Sequence, residues 1–572
     1  MPPPLSPPLI SVSKSEAIIH VVPAALRFWE KLGLGPKGGQ KNITVFVIYE
    51  QSLNDNETEQ HAQSWRSERI GSWLKHTCDS YKARALGEMC PGKSKLCQID
   101  GLISFRFDMS FKKNLTTFIS SLPFPSSEDA VVFFVIVPLP LMNLSSQMLR
   151  HVSSAVNKAM NSCSEVQQPF FQFVPESNIL HAALHSSSPY DNYSGLFLRS
   201  VYDRVLVPSE RAMSRKFFTY GQVEKQYFEV PAFTLARPYT ENKISYSGST
   251  DPGLDVLDRH TLLHVGYGIS ACGRWIFASC IDQRGEAHNT GVWSLQQRTT
   301  NIAYDLYIVN RVWDFAMHFA NRARVEWRIV VAKLGKMSIA ELDAWNAHLY
   351  TISQSTTQVP LHVSVLNVQS STLWTPSPLP SSTHPPLTTV TAKGSSRSAS
   401  SSMNVSSKNS FFVDITATTY GFRRKDPFPV SSPPDLDDIG LSSGFVRPPS
   451  ALTTEDDDIF MVDESPLLPL SSSTLLCIPN APVQPRMLSI HLINCAKSAG
   501  CTYPANASDA AEASESLHNL LRDVTHSYYS LSVLSSVRWN TTSSLPFHLG
   551  AVETMQKALS TRNGLASMDG YS

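Results

Sequence analysis

Two rhythms of apolar residues divide the chain. Short continuous runs, "ITVFVIY" at 43–49, "VVFFVIV" at 131–137 and "PFFQFVP" at 169–175, have the length and β-branched or aromatic content of buried strands. Between them Trp65, Ile70, Trp73, Leu74 and Tyr81 recur at near-helical spacing, and Met148, Val152, Val156 and Met160 recur every four residues. Strands alternating with helices predict a parallel sheet covered on both faces, closing near residue 185.

A different order follows. "LFLRSVYDRVLVP" and "YFEVPAFTLARP" read as strand-like runs ended by prolines. "TLLHVGYGIS", "GRWIFASCID" and "NTGVWSL" then predict three antiparallel strands joined by glycine-containing turns. Ile302, Leu306, Val309, Val312, Trp313, Ala316 and Phe319 mark a helix over 300–322. "VEWRIVVAKLG" is a strand, "SIAELDAWNAHL" a helix opened by the capping pair Ser338 and Glu341, and "LHVSVLNV" a strand. Three antiparallel strands, a helix, then strand–helix–strand is the element order of an RNase H-like sheet.

The pattern then stops. Of residues 371–410, 24 of 40 are Ser, Thr or Pro. Residues 431–470 carry nine acids against the single base Arg447, with bulky apolar residues set among them in "EDDDIFMVDE". Such segments bury too little surface to offset chain entropy, and the acidic one suits docking on a partner. Strands resume with "TLLCIP" and "MLSIHLINC". A helix over 509–534 follows, through Leu517, Leu520, Leu521, Val524, Tyr528 and Leu531, and a short helix closes the chain in "LPFHLGAVETMQKAL". The expected organisation is a disordered tail or linker at 1–40, a first domain at 41–190, a second at 195–370, a disordered insert at 371–470, and a return at 474–572 that completes the second sheet.

Composition narrows the function. The 572 residues hold 48 basic and 48 acidic side chains, without the basic excess that phosphate-gripping proteins usually carry. Nine cysteines with no CxxC pair read as reduced thiols. The N-terminus lacks a signal-peptide layout, and no apolar run approaches the roughly 20 residues of a membrane helix.

Several patterns invite chemistry. "GYGISACG" approaches a dinucleotide fingerprint, but its third glycine is two places late and strands flank it. The loop "LGLGPKGGQK" lacks the Gly-Lys-Ser/Thr of a phosphate loop, and His181 and His185 have zinc-helix spacing without the glutamate. Asp282, at a strand end, has the position of a nuclease acid. Two-metal cleavage needs further carboxylates, however, and its possible partners Glu286, Glu326, Glu341 and Asp343 do not have ligand spacing. A hairpin turn in "DQRG", with Asp and Gly in their usual turn roles, is the better explanation of Asp282.

Longer stretches carry a resemblance. "VYDRVLVPSERAMSR" (201–215), "PAFTLARP" (231–238), "RWIFASCIDQRGE" (274–286) and the helix–strand segment "DLYIVNRVWDFAMHFANRARVEWRIVVAKLG" resemble the C-terminal region of the Mediator subunit 13 family in a fungal form. "WLKHTCDSYKARALGEMCPG" (73–92) resembles that family's middle domain. The likeness covers roughly 40–370 and resumes near 474; the family's usual large N-terminal domain has no counterpart in residues 1–40.

The resemblance implies an Argonaute-like α/β protein, a Rossmann-like middle domain followed by an RNase H-like PIWI domain with a long disordered insert. It implies a nuclear, non-catalytic scaffold of the Mediator kinase module, with no cofactor and no metal. That scaffold would join a cyclin-dependent kinase, a C-type cyclin and subunit 12 to core Mediator and regulate RNA polymerase II, often by repression. The alternative is an Argonaute-like nucleic-acid-binding protein or nuclease, with Lys75, Tyr81, Lys82 and Arg84 around a guide-end pocket. Thr375, Ser377, Ser432 and Ser465 precede prolines and are candidate phosphorylation positions.

Overall fold

A computed structural model describes residues 4–15, 17–51, 57–97, 99–122, 130–138, 147–162, 169–179, 192–208, 227–236, 261–295, 303–321, 327–354, 361–371, 411–416, 469–478, 486–497, 510–539 and 544–566. Its N-terminal segment forms strands β1 (Ile10–Lys14), β2 (Ala17–Val21) and β3 (Leu34–Gly35), with a 3₁₀ turn at Pro23–Phe28. The parallel sheet follows as β4 (Ile43–Glu50), helix α1 (Glu57–Ala83), β5 (Met89–Pro91), β6 (Leu102–Phe105), α2 (Phe111–Ser121), β7 (Ala130–Val137), α3 (Gln147–Ser162) and β8 (Phe170–Pro175). The order is β5-β4-β7-β8, with β6 also paired to β4, and every pairing is parallel.

The continuous apolar runs are explained by burial on both faces. Ile43, Val45, Val47 and Tyr49 of β4 enter one core, with Val132, Phe134 and Ile136 of β7. Phe46 and Ile48 enter the other, with Phe133 and Val135. With apolar groups required on both faces, the strand centres cannot alternate apolar with polar residues.

Helix α4 (Asn192–Arg204) and the short strands β9 (Leu206–Pro208), β10 (Tyr227–Glu229) and β11 (Thr234–Leu235) lead to the second sheet. That sheet contains β12 (Thr261–Ile269), β13 (Trp275–Asp282), β14 (His288–Ser294), β15 (Trp327–Leu334), β16 (Leu361–Ser371), β17 (Phe411–Asp414), β18 (Ser471–Ile478) and β19 (Arg486–Lys497), in the order β14-β13-β12-β15-β16-β19-β18-β17. The first three strands pair antiparallel, while β12, β15 and β16 run parallel. Counted from β12 the order is 3-2-1-4-5, the RNase H-like topology. The parallel sheet followed by this one is the Argonaute-like α/β fold expected from the sequence.

Helices α5 (Tyr304–Ala320) and α6 (Ile339–Gln354) pack on one face of the second sheet, α7 (Ala510–Trp539) and α8 (Phe547–Ala566) on the other. Along β12, Leu263, Val265 and Tyr267 face α5 and α6, while His264, Gly266 and Gly268 face α8. A Cβ at Gly266 would lie 2.9 Å from Leu549 Cδ2 and 3.0 Å from His548 O; one at Gly268 would lie 2.6 Å from Gln556 Nε2. The glycines of "GYGIS" therefore let a helix approach the sheet, and the segment is a hairpin strand.

Two buried cations lock the sheets together. Lys41 Nζ donates to the carbonyls of Tyr202 and Val205 at 2.7 Å and of Val230 at 2.8 Å, capping the end of α4. Arg538 of α7 donates to Gly285 O at 2.6 Å and to Phe233 O, and lies 3.6 Å from Asp203 Oδ2. Asp203 in turn accepts the Ala232 N–H at 2.8 Å. One apolar core runs through this junction, holding Ile10, Trp29, Leu198, Ile281, Leu531 and Leu534 together. At the chain's beginning, the Leu5 N–H donates to Phe412 O at 2.8 Å, and Tyr529 Oη donates to Leu5 O at 3.1 Å.

Three sequence expectations are corrected. Residues 1–40 are not a disordered tail over their described length: Ile10 and Val12 are fully buried, and β1 pairs with β11 of a segment more than 200 residues away. Residues 192–204 form a helix, not a strand, because Leu198, Val201, Tyr202 and Val205 fall on one helical face. Phe411–Asp414, inside the expected insert, pairs with β18; residues 372–410 and 417–468 lie outside the described residues. Helix α2 is not foreseen, although Phe111, Leu115, Phe118 and Ile119 have helical spacing and are buried.

Between β12, α7 and α8, His264, His548 and Tyr528 meet with ring centroids 5.0–5.5 Å apart. Burial pushes the His264 imidazole down to about 3, and burial with the neighbouring His264 pushes His548 well below its ordinary value. Both folded values lie below the unfolded one. Their stabilising contribution is therefore complete above about pH 6.5 and is lost as pH falls from there toward 3. The urea midpoint is expected to fall between pH 7 and pH 5, and less steeply in His548→Phe. Separately, Gly266→Val is expected to destabilise the fold by roughly 1–3 kcal/mol through overpacking against α8, read as a lowered thermal midpoint.

Candidate functional site

In an open sheet with parallel strands, ligands gather at the carboxyl ends where the strand order reverses. In the second sheet that point lies between β12 and β15, whose ends place Tyr267 beside Lys333. Lys333 projects from the apolar run "RIVVAKL" and is buried, as is Glu341 in the first turn of α6. Their side chains form an ion pair. Tyr267 Oη donates to Glu341 Oε1 at 2.7 Å, and Trp345 Nε1 donates to Tyr267 Oη at 2.9 Å. Burial, then the Glu341 carboxylate, pushes the Tyr267 phenol well above its ordinary value. The position a hydrolytic centre would use is filled by a cation, its counter-ion and two aromatic rings.

Ser338 caps α6 through its Oγ, which accepts the Glu341 N–H at 3.2 Å. The Glu341 carboxylate does not return to the helix start as the capping pair predicted; it is committed to Lys333 and Tyr267.

Asp282 sits at the other end of the sheet, paired with Leu263 near the start of β12. Four residues of strand, about 13 Å, separate that level from Tyr267, so Asp282 and Glu341 cannot share ions about 4 Å apart. The Asp282 carboxylate accepts the Arg284 N–H at 3.0 Å and the Ala287 N–H at 2.7 Å, and its carbonyl accepts the Gly285 N–H at 3.0 Å. Gly285 has φ +67°, as this turn requires. Burial, with the Glu286 charge, pushes Asp282 up to about 6.

Glu286 does not point freely to solvent: it bridges Lys37 at 2.6 Å and Arg284 at 3.1 Å. Asp343 is exposed on α6, and Glu326 lies outside the described residues, as do His181 and His185. Among the described residues no group of three His, Cys, Asp or Glu side chains is placed to hold a metal.

In the first domain a groove of about 460 Å³ runs between α1 and the edge strand β5, lined by Leu74, Lys75, Cys78, Lys82, Met89 and Cys90 among others. It divides the four proposed guide-end residues. Lys75 and Lys82 line it, with Lys82 paired to Glu88 at 2.9 Å. Tyr81 is turned into the core and donates to Lys41 O at 3.1 Å, and Arg84 pairs with Glu30 at 3.2 Å. Asp79, Glu88 and Asp100 share the groove's lining, so it does not present a cationic face.

The sequence pattern did not single out Lys333, Tyr267, Lys41, Asp203 or Arg538. Lys333 alone gave a visible signal, a charge set between the apolar run Ile329–Ala332 and Leu334. Glu341→Gln is expected to cost about 3–5 kcal/mol by leaving Lys333 buried without its counter-ion, and Lys333→Met with Glu341→Gln to recover much of that loss. Urea denaturation of both variants measures it.

The chain is similar to known proteins at two levels. Residues 229–552, more than half of the chain, match the family model of the Mediator complex subunit 13 C-terminal domain. Mediator of RNA polymerase II transcription subunit 13 from Phaeosphaeria nodorum is 24% identical over 394 residues, which is 64% of this chain and 26% of that protein. The human subunit 13 is 27% identical over 95 residues, 16% of this chain and 4% of that protein. The chain thus spans about a quarter of the fungal relative's length.

Among solved structures, the C-terminal lobe of a budding yeast Argonaute aligns with a TM-score of 0.44 at 8% identity, over 97% of this chain and 87% of that one. Clostridium butyricum Argonaute with guide and target DNA aligns with a TM-score of 0.43 at 9% identity, over 98% of this chain and 52% of that one. By the match across its second sheet and covering helices, the chain belongs to the Mediator complex subunit 13 C-terminal domain family.

Proposed function

We propose that the chain acts as a non-catalytic scaffold within the Mediator kinase module. In this reading it joins a cyclin-dependent kinase, a C-type cyclin and subunit 12 to core Mediator, and regulates transcription by RNA polymerase II in the nucleus, often by repression. Family membership supports the complex to which it would belong. The observation that carries the non-catalytic part is the buried Lys333–Glu341 pair at the point where the strand order reverses. A hydrolytic centre there needs carboxylates free to hold cations. Here the nearest carboxylate is neutralised, hydrogen-bonded and shut from water. The acid-rich, apolar-studded stretch 431–470 supports a role in protein contacts.

Two measurements on the full chain test this reading. Affinity purification of the tagged chain from fungal nuclei is expected to retrieve the kinase, the cyclin and subunit 12. Incubation with single- and double-stranded RNA and DNA in Mg²⁺ or Mn²⁺ is expected to give no cleavage above a metal-chelated control. Metal-dependent cleavage that disappears in Asp282→Ala would sink the scaffold reading in favour of a nuclease.

A further inference from the structure

We infer that Cys78 and Cys90 form a peroxide-sensitive thiol pair that closes to a disulfide across the groove between α1 and β5. Both thiols are free, and both line that groove. Their facing positions follow from the register of helix and strand. Strand β5 runs parallel to β4, and α1 returns from the end of β4 to the start of β5, so helix and strand run in opposite directions. Lys82 of α1 meets Glu88, just before β5, at 2.9 Å. One helical turn back from Lys82, about 6 Å along the axis, is Cys78. Two residues on from Glu88, about 7 Å along the strand, is Cys90. Glu88 and Cys90 share a side of the strand, since both are exposed while Met89 between them is buried. The two steps point the same way, so the ion pair and the thiol pair are successive rungs between α1 and β5.

The turn joining the two elements is held in place. The Lys41 N–H donates to Leu86 O at 2.9 Å, and Tyr81 Oη donates to Lys41 O at 3.1 Å. Gly87, at φ +134°, passes where a Cβ would lie 2.2 Å from Lys41 O. Cα atoms of α1 and β5 approach within 8 Å of one another, near the separation a disulfide spans. The charge of Cys90 is felt at both Cys78 and Lys82.

The surroundings of the two thiols divide their roles. Cys90 is exposed and Cys78 is half-buried. Burial, then the Cys90 charge, then Asp79, pushes the Cys78 thiol up to about 12. Cys90 is therefore the group that meets peroxide first. Its thiolate attacks one oxygen of hydrogen peroxide; the O–O bond breaks, hydroxide leaves and Cys90 becomes a sulfenic acid. The Cys78 sulfur then gives up its proton and displaces the sulfenic hydroxyl as water. The two thiols lose two electrons between them, and one peroxide becomes two waters. The bond staples the C-terminal end of α1 to the edge of the first sheet and divides the groove. It goes beyond the scaffold reading, because it concerns the first domain and holds whatever complex the chain joins.

The test treats the reduced full chain with a small excess of hydrogen peroxide, blocks the remaining thiols with iodoacetamide in denaturant, and maps peptides without reduction. Cys272, exposed between β12 and β13, reports whether the dose suffices. Alkylation of Cys78 and Cys90 is expected to be lost together, with their peptides joined and then released by dithiothreitol. In Cys78→Ser, Cys90 is expected to accumulate as the sulfenic acid, with dimedone labelling raised about fivefold or more. In Cys90→Ser, Cys78 is expected to remain alkylatable. Because Cys90 is exposed, that variant keeps the test decisive even if Cys78→Ser does not fold. Oxidation of Cys272 while the Cys78 and Cys90 peptides stay separate, a disulfide joining Cys90 to a different cysteine, or loss of Cys78 alkylation in Cys90→Ser would overturn the proposal.

Discussion

A cation removed from water needs acceptors for the N–H groups it carries, and the junction of the two sheets is arranged around that requirement. Lys41 and Arg538 are nearly inaccessible to solvent. Three carbonyls meet the first; two carbonyls and Asp203 meet the second. These acceptors belong to the end of α4, to the chain at 230–233 and to the β13–β14 turn. A small rotation of one sheet against the other would leave several buried donors unsatisfied, each at about 1–3 kcal/mol. The apolar core shared by Trp29, Leu198, Ile281 and Leu534 supplies the non-directional part of the contact. The cations supply the direction.

The same accounting governs the second sheet's carboxyl edge. A nuclease leaves its carboxylates poised there, under mutual repulsion and open to ions. Lys333 and Glu341 cancel each other, and Tyr267 and Trp345 close the remaining hydrogen bonds. What survives is a rigid sheet with two helices on each face. Gly266 and Gly268 serve that rigidity from the opposite side by admitting α8 to close approach.

Much of this was legible from the chain. The doubly buried strands announced themselves as continuous apolar runs, and the order of elements after residue 261 fixed the RNase H-like topology before any pairing was known. Asp282 was readable as a turn residue from the glycine three places on. What escaped was set by partners distant in sequence. Ile10 and Val12 look like part of a proline-rich tail until β11 is brought beside them. Residues 192–204 are rich in residues common to strands, and only the packing of Leu198, Val201 and Tyr202 on one face selects a helix. Glu341 satisfied a capping pattern so well that its larger role, meeting Lys333, was hidden.

The contact of Leu5 with Phe412 and Tyr529 has a consequence for how the molecule is made. A ribosome delivers the N-terminal end first, and domains generally fold as they emerge. The parallel sheet has nearly all its strands in hand early and can mature behind the ribosome. The second sheet cannot: β16 waits for β19, and the face carrying Leu262, Val330 and Ala332 waits for α7 and α8. Leu5 therefore waits until residues 412 and 529 have been made before it meets its acceptor and its donor. A nascent chain halted before residue 510 carries an uncovered apolar sheet face, the kind of surface that chaperones hold and that aggregates form from.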